Sequence, residues 1–400
     1  MGLGAGSRIF SVVLLLALAA VNAGAAEWTS SVGPDTEEVL PPGSSEPQTL
    51  RFGEAVSIHG SMALAGMPSF DGARGRVAVF TRSTGGEWIR SGTLSPSDLI
   101  EGDAFGQGVA LRGRFAVVSS GRAVYVFYLA QHWQQIQKLP ITAANAWFNS
   151  AIDFEIPFLV VGGGAENAPG AAYLFQFDPE KGKFQRLGRF IAPTGSSDEG
   201  FGESVAIWNG VVAVGAPGYN GGQGTAYVFR KVAGRWVRQQ LLNGMGEALD
   251  GYGASIDVRG TTLAIGAPDE DRVGPLGTET LAGGAVHILK YNGTHWVPSQ
   301  RLRPTASQSA WYLEFGSNLQ LQGDRLAVAA PFGETRFDPG LVFLYSRSTG
   351  SYLLTDSFTS EPSLGSGLSL SQGALMAGVP FDPLFSIGYA LIHEFGAPAP

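Results

Sequence analysis

The residues best suited to chemistry in this sequence are carboxylates that recur beside one repeated pattern. Glu54 and Glu203 directly follow an aromatic–glycine pair, and Asp153 and Asp257 lie a few residues further along corresponding stretches. Carboxylates in such positions bind cations, accept hydrogen bonds, or act in pairs as acid and base. Unpaired burial of a carboxylate is costly, so these four side chains are expected to line a channel or to find partners between structural units.

A second group of acids lies in stretches that are predicted as loops. Asp198, Glu199 and Asp250 stand just before an aromatic–glycine pair. Acids in that position suit hydrogen bonding to a turn backbone, and they also suit ligand binding, so both interpretations stay open. The run containing Asp269 and Asp271 is the nearest approach to a metal site, because calcium needs six or more oxygen ligands.

The sequence contains no signature of an established catalytic class. It has no G-x-S-x-G elbow, no H-E-x-x-H motif and no phosphate-binding loop ending in G-K-[ST]. The absence of cysteine excludes disulfides and thiolate chemistry. The five histidines fall at predicted turns or strand positions, where packing or solvation explains them: His59, His132, His287, His295 and His393. No catalytic residue is therefore assigned.

The elements that must position these residues form a sevenfold repeat. Each unit begins with a pair of residues, the first aromatic or leucine and the second usually glycine. The units recur about every fifty residues, a period typical of propellers and other repeat arrays. Within a unit, two apolar runs flank a tight turn such as Asn209-Gly210, a third run follows, and a fourth opens with an aromatic residue. The units begin at Phe52-Gly53, Phe105-Gly106, Phe148-Asn149, Phe201-Gly202, Tyr252-Gly253, Phe315-Gly316 and Leu364-Gly365.

This pattern predicts an all-β fold, a seven-bladed β-propeller of four-stranded antiparallel blades spanning residues 51–396. The seventh unit ends after its third strand. We therefore expect residues 27–50, with their apolar island around Thr36 to Leu40, to supply the outer strand of the last blade and close the ring.

The first residues have the layout of a secretory leader. Arg8 precedes an apolar run from Ile9 to Val21, and small residues follow. Residues 1–26 are predicted to be a signal peptide cleaved after Ala25 or Ala26, which leaves no membrane span. The expected location is extracellular, periplasmic or cell envelope. A formal net charge of −8 argues against nucleic-acid partners, whose phosphates require clustered Lys and Arg.

The repeats resemble the FG-GAP family, on the residues Phe201-Gly202 and Gly215-Ala216-Pro217 and their counterparts in the other units. The likeness is to bacterial secreted FG-GAP proteins and, more distantly, to the propeller of integrin α subunits. It implies a seven-bladed propeller with a role in binding or adhesion. The calcium loops of integrin-type repeats, D-x-D-x-D-G, are absent here. No cofactor is therefore expected, and calcium is considered only at Asp269 and Asp271.

The long connections predicted on one face of the ring are rich in acids, and variable loops on a rigid scaffold commonly carry binding sites. The first functional hypothesis is a secreted, non-catalytic propeller that binds an extracellular or envelope protein or glycan through this face. The alternative is an enzyme acting on extracellular polysaccharide with funnel carboxylates as acid and base. Asn292-Gly293-Thr294 would be a glycosylation acceptor only in a host with that chemistry. The oligomeric state stays open.

Overall fold

Seven four-stranded antiparallel sheets form the ring, as seen in a computed structural model of the chain. The structure describes residues 28–32, 50–140, 146–165, 168–193, 199–244, 249–270, 272–273, 279–280, 283–304, 313–332, 339–360, 363–380 and 388–395. The predicted fold class and blade count are confirmed. The predicted leader lies outside the described residues.

Each of the first six blades is a sheet whose four strands neighbour one another in the order in which they occur in the chain. In every blade, the strand that opens the repeat unit lies nearest the axis. Blades 1 to 3 contain β2 (Val56–His59), β3 (Met62–Met67), β4 (Arg76–Arg82), β5 (Trp88–Leu94); β6 (Gly108–Arg112), β7 (Phe115–Ser119), β8 (Ala123–Leu129), β9 (Trp133–Pro140); β10 (Ala146–Glu155), β11 (Phe158–Ala165), β12 (Ala168–Asp178), β13 (Lys183–Ile191). Blades 4 to 6 contain β14 (Val205–Trp208), β15 (Val211–Ala216), β16 (Thr225–Val232), β17 (Arg235–Asn243); β18 (Ser255–Arg259), β19 (Thr262–Ala267), β22 (Ala285–Tyr291), β23 (Trp296–Leu302); β24 (Asn318–Gln322), β25 (Arg325–Ala330), β26 (Leu341–Ser348), β27 (Ser351–Thr359).

Blade 7 is completed by the N-terminal segment. It contains β28 (Leu368–Leu370), β29 (Ala374–Val379) and β30 (Tyr389–Glu394), and β1 (Ser30–Val32) pairs antiparallel with β30 as its outer strand. The predicted closure is confirmed, but the strand lies at residues 30–32. The island around Thr36 to Leu40, predicted to form that strand, lies outside the described residues. The ring of Trp28, 4.7 Å from that of Phe358, anchors the segment.

Three short elements interrupt the connections. A two-stranded hairpin, β20 (Arg272–Val273) with β21 (Glu279–Thr280), lies between β19 and β22. Tight turns with left-handed residues follow the second strand of blade 1, at Phe70–Ala73, and of blade 4, at Tyr219–Gly222. Within the described ranges, no helix is long and apolar enough to cross a bilayer.

Two glycines that recur in most units meet across several of the blade interfaces, which explains why both are glycine there. A Cβ atom on Gly66 of blade 1 would lie 2.0 Å from the carbonyl oxygen of Gly106 in blade 2. The same approach joins Gly215 to Gly253, and Gly378 to Gly53 across the closure of the ring. Backbone can approach this closely only without side chains. The aromatic residues that start the units fill the space beside these contacts: Phe52, Phe105 and Phe315 are fully buried.

Glutamine side chains tie neighbouring blades together near the outer rim. The side-chain amide of Gln240 in β17 accepts a hydrogen bond from the backbone N–H of Trp296 at 2.8 Å and donates one to the backbone carbonyl of Trp296 at 2.9 Å. Gln137 makes the same pair of bonds to Phe184, as Gln300 does to Tyr352. These bonds satisfy the backbone at the start of the next outer strand.

Candidate functional site

The innermost strands surround a central channel of about 310 Å³. It opens on the long-loop face, which carries the connections between consecutive blades and the connections after the second strand of each blade. Side chains from successive positions of these strands form levels along it. At the mouth lie Glu54, Gln107, Glu203 and Ser317. One level deeper, aliphatic side chains form a collar: Val56, Val109, Ile152, Val205, Ile256, Leu319 and Leu368. The channel is therefore polar at its entrance and apolar beneath it.

Polar atoms at the mouth lack partners within the part of the chain that the structure describes. The Oε1 atom of Glu54 lies 2.6 Å from Nη2 of Arg51, but its buried Oε2 atom accepts no hydrogen bond. The buried hydroxyl of Ser317 on blade 6 also has no partner. Buried polar groups are normally paired, so these two atoms are unsatisfied exceptions in the free protein.

The Glu203 carboxylate lies across the turn that precedes its strand. A Cβ atom on Gly200 would lie 2.5 Å from Oε1 of Glu203, and the φ of Gly200, +65°, favours glycine at this turn. Glu203 is exposed at the mouth. Partial desolvation by the protein around it nevertheless raises the pKa of its carboxyl above the usual value. Burial also raises the pKa of Glu54, while Arg51 partly offsets the shift.

Blades 1 and 4, which contribute the two glutamates, also share a loop conformation. Their connections after the second strand contain three consecutive residues with positive φ, Asp71-Gly72-Ala73 in blade 1 and Asn220-Gly221-Gly222 in blade 4. Left-handed backbone is tolerated best by Gly, Asn and Asp, which occupy all of these positions except Ala73. The loops that follow the second strands of these two blades therefore have similar backbone conformations.

Asp153 and Asp257, predicted as ligand-binding residues, are engaged in contacts between blades. Asp153 accepts the Ile207 N–H at 2.8 Å, and Asp257 accepts the Leu321 N–H at 2.8 Å. Nη1 of Arg259 lies 3.0 Å from Oδ1 of Asp257 and 3.4 Å from Oδ2 of Asp153. Burial raises the pKa of Asp257, opposed by Arg259. These two acids join neighbouring innermost strands below the aliphatic collar.

In most blades, the residue equivalent to Asp153 and Asp257 in the innermost strand accepts a backbone N–H of the next blade. Ser57 accepts the Leu111 N–H and Ser369 accepts the Ile58 N–H, both at 3.0 Å, and Gln320 accepts the Leu370 N–H. Where alanine occupies the position, at Ala206, the other oxygen of Asp257 accepts the Val258 N–H at 2.7 Å instead. The acids of this level therefore belong to a ring of inter-blade hydrogen bonds.

The loop acids proposed as ligands have varied surroundings. Glu199 and Asp250 are buried, at 5% and 4% exposure. Burial raises the pKa of Asp269. Asp198 and Asp271 lie outside the described residues. Within the described part of the chain, no three His, Asp or Glu side chains converge as metal ligands do.

Several acids on the long-loop face are neutralised by cations, which the sequence did not indicate. Arg122 binds Asp103 through two nitrogens, with Nη2 2.8 Å from Oδ2, and Lys138 binds Asp98. Glu270 is the most elaborate case: His287 lies 2.6 Å from one oxygen, and Arg301 and Arg303 bind the other. Burial lowers the pKa of His287 to about 4. Because these partners are far apart in sequence, spacing alone could not have revealed them.

Comparison with known proteins supports the architecture. A family model described as FG-GAP repeat matches residues 184–229, from the outer strand of blade 3 to the third strand of blade 4. No curated protein matches the chain. The crystal structure of a candidate 6-phosphogluconolactonase from Bacteroides fragilis is similar, with 14% identity, 78% of this chain and 85% of that chain covered, and a TM-score of 0.52. A second, from Bacteroides uniformis, has 12% identity, 77% and 85% coverage, and a TM-score of 0.52. Likeness at this identity shows the fold alone.

Proposed function

The chain is a seven-bladed propeller that carries an FG-GAP repeat, and we propose that it is a secreted binding protein that recognises a partner through its long-loop face. The partner is an extracellular or envelope protein or glycan. Its contact surface centres on the mouth of the channel, where Glu54 and Glu203 are the principal contacts. No catalytic step and no metal ion are part of the proposal.

The observation that carries the proposal is the unsatisfied polarity of the mouth. Glu54 Oε2 and Ser317 Oγ have no hydrogen-bond partner among the described residues, and the pKa of Glu203 is raised by burial. Unpaired buried groups cost stability in the free protein, and a partner that supplies donors would recover it once the two side chains turn into the channel. By contrast, Asp153 and Asp257 already hold amide and guanidinium partners, so they act in positioning the blades rather than in contacting a ligand.

The proposal is tested by binding to the protein produced without residues 1–26. Glycan arrays and extracellular or envelope extracts are probed with the wild type and with the Glu54→Gln/Glu203→Gln variant. Losing two charge-assisted hydrogen bonds, each contributing about 1.5–3 kcal/mol, should weaken binding by at least a hundredfold. A partner bound equally well by both proteins would refute the role of the mouth.

A matched control changes the same charge on the opposite face. Glu87 and Glu180 lie in the turns between the third and fourth strands of blades 1 and 3, and both side chains are exposed. The Glu87→Gln/Glu180→Gln variant should bind as the wild type does. An equal loss of binding in this variant would show that net charge, rather than the long-loop face, controls recognition.

A further inference from the structure

Cations on the outer strands are concentrated on two neighbouring blades. β13 carries Lys183, Arg186 and Arg189, β17 carries Arg235 and Arg238, and neither strand contains an acid. The other five outer strands carry at most one cation each. Charges on edge strands discourage edge-to-edge pairing, but that role would spread them evenly around the ring. The uneven distribution calls for a further explanation.

The two strands are neighbouring outer strands, and their blades pack together. Phe190 of β13 stacks on Phe229 of blade 4, with ring centroids 4.2 Å apart, and lies 6.1 Å from Trp236 at the start of β17. Four of the five cations, Lys183, Arg189, Arg235 and Arg238, are exposed and have no ion-pair partner among the described residues. They therefore present their charge to solvent on an otherwise acidic protein with a net charge of −8.

Aliphatic side chains are also exposed on these two strands. Leu187 and Ile191 of β13 are 48% and 47% exposed, and Val237 and Leu241 of β17 are 44% and 39% exposed. Aliphatic groups beside Lys and Arg suit the boundary of a lipid bilayer, where the former enter the headgroup region and the latter meet phosphate. An acidic polysaccharide would supply the anions but no apolar phase for four aliphatic side chains.

We propose that the outer surface of β13 and β17 is a docking surface for a bilayer rich in anionic lipid. The acidic remainder of the protein is repelled by such a bilayer, so only this side of the ring can approach it. Because the outer strands run along the rim, docking through them turns the long-loop face sideways and leaves it open to a partner. This surface is separate from the channel mouth, and the two are tested independently.

The test measures partitioning of the protein onto vesicles. The protein is produced without residues 1–26, because that apolar run would itself enter lipid. Equimolar phosphatidylglycerol and phosphatidylcholine vesicles are compared with pure phosphatidylcholine vesicles at about 0.1 M salt, where the Debye length is about 10 Å. Binding is expected to the anionic vesicles only, and to weaken as salt rises.

Two variants separate the contributions. Lys183→Gln/Arg238→Gln should weaken partitioning roughly thirtyfold, because each cation near an anionic surface contributes about a fivefold factor. Leu187→Ser/Val237→Ser keeps every charge and should also weaken it, since the aliphatic contacts are lost. Both changes are at exposed positions, and unchanged melting temperatures confirm folding.

The matched control, Arg90→Gln/Arg114→Gln, removes two cations elsewhere in the ring and should bind as the wild type does. The proposal is overturned if the control loses as much binding as Lys183→Gln/Arg238→Gln. It is also overturned if the serine variant partitions like the wild type, or if the protein binds heparin but no anionic vesicle. The last outcome would assign the surface to an acidic polysaccharide.

Discussion

Replacing Gly66 with alanine should force blades 1 and 2 apart. The added Cβ atom would lie 2.0 Å from the carbonyl oxygen of Gly106 and 3.0 Å from its carbonyl carbon. Backbone atoms cannot rotate out of the way, so the interface must open by about 1.4 Å to restore ordinary van der Waals contact at 3.4 Å. A gap of that size forfeits about half of the local dispersion energy. Overpacking costs about 1–3 kcal/mol, and we expect the upper end because the obstacle is rigid.

Thermal unfolding gives the assay. At about 2.1 cal/mol/K per residue, the 400-residue chain has an unfolding entropy near 0.8 kcal/mol/K, so a loss of about 3 kcal/mol lowers the melting temperature by roughly 4 °C. Gly92 of the same blade is the matched control, because a Cβ atom there meets nothing within 4 Å. Gly92→Ala should be neutral or stabilising by about 0.5–1 kcal/mol. Equal melting temperatures for the two variants would refute the account of the paired glycines.

Three further predictions concern the mouth, the rim and the closure. Because desolvation raises the pKa of Glu203, the folded state binds a proton more tightly than the unfolded chain does. The free energy of unfolding therefore falls as pH rises through the window between the unfolded and folded pKa values. Glu203→Gln should remove that fall, as measured by urea titrations from pH 4 to about 7. Gln240→Ala leaves the Trp296 N–H and C=O unpaired and should cost about 1–3 kcal/mol in urea unfolding, whereas the exposed Gln134→Ala should stay within about 0.5 kcal/mol. Deleting residues 27–32 removes β1 and should lower the melting temperature of the whole ring in calorimetry.

Each of these has a contrary outcome. A Glu203→Gln variant whose stability follows the wild-type pH dependence would show that this carboxyl is not perturbed. Gln240→Ala and Gln134→Ala losing the same free energy would show that the rim hydrogen bonds contribute nothing specific. A calorimetric transition that does not move on deletion of residues 27–32 would mean that β1 does not close the ring.

The repeats made the blade architecture predictable. Apolar runs of strand length, tight turns with glycine and a period near fifty residues are local properties, so the strand order and the number of blades follow from the chain alone. The short seventh unit also indicated closure by the N-terminal segment. The strand at 30–32 was missed because its position depends on contacts made across the ring, including the packing of Trp28 on Phe358.

Which of the acids form ion pairs depends on the tertiary structure. The repeat predicted that carboxylates would line the axis and the long-loop face, because their positions within each unit set their level in the blade. Only the folded ring decided which are paired: Arg259 reaches Asp153 across 106 residues, and Lys138 reaches Asp98 across 40. These ion pairs form between side chains that blade packing brings together, and no local spacing encodes that proximity. Glu54, by contrast, pairs with Arg51 three residues earlier, and Glu203 has no ion pair among the described residues.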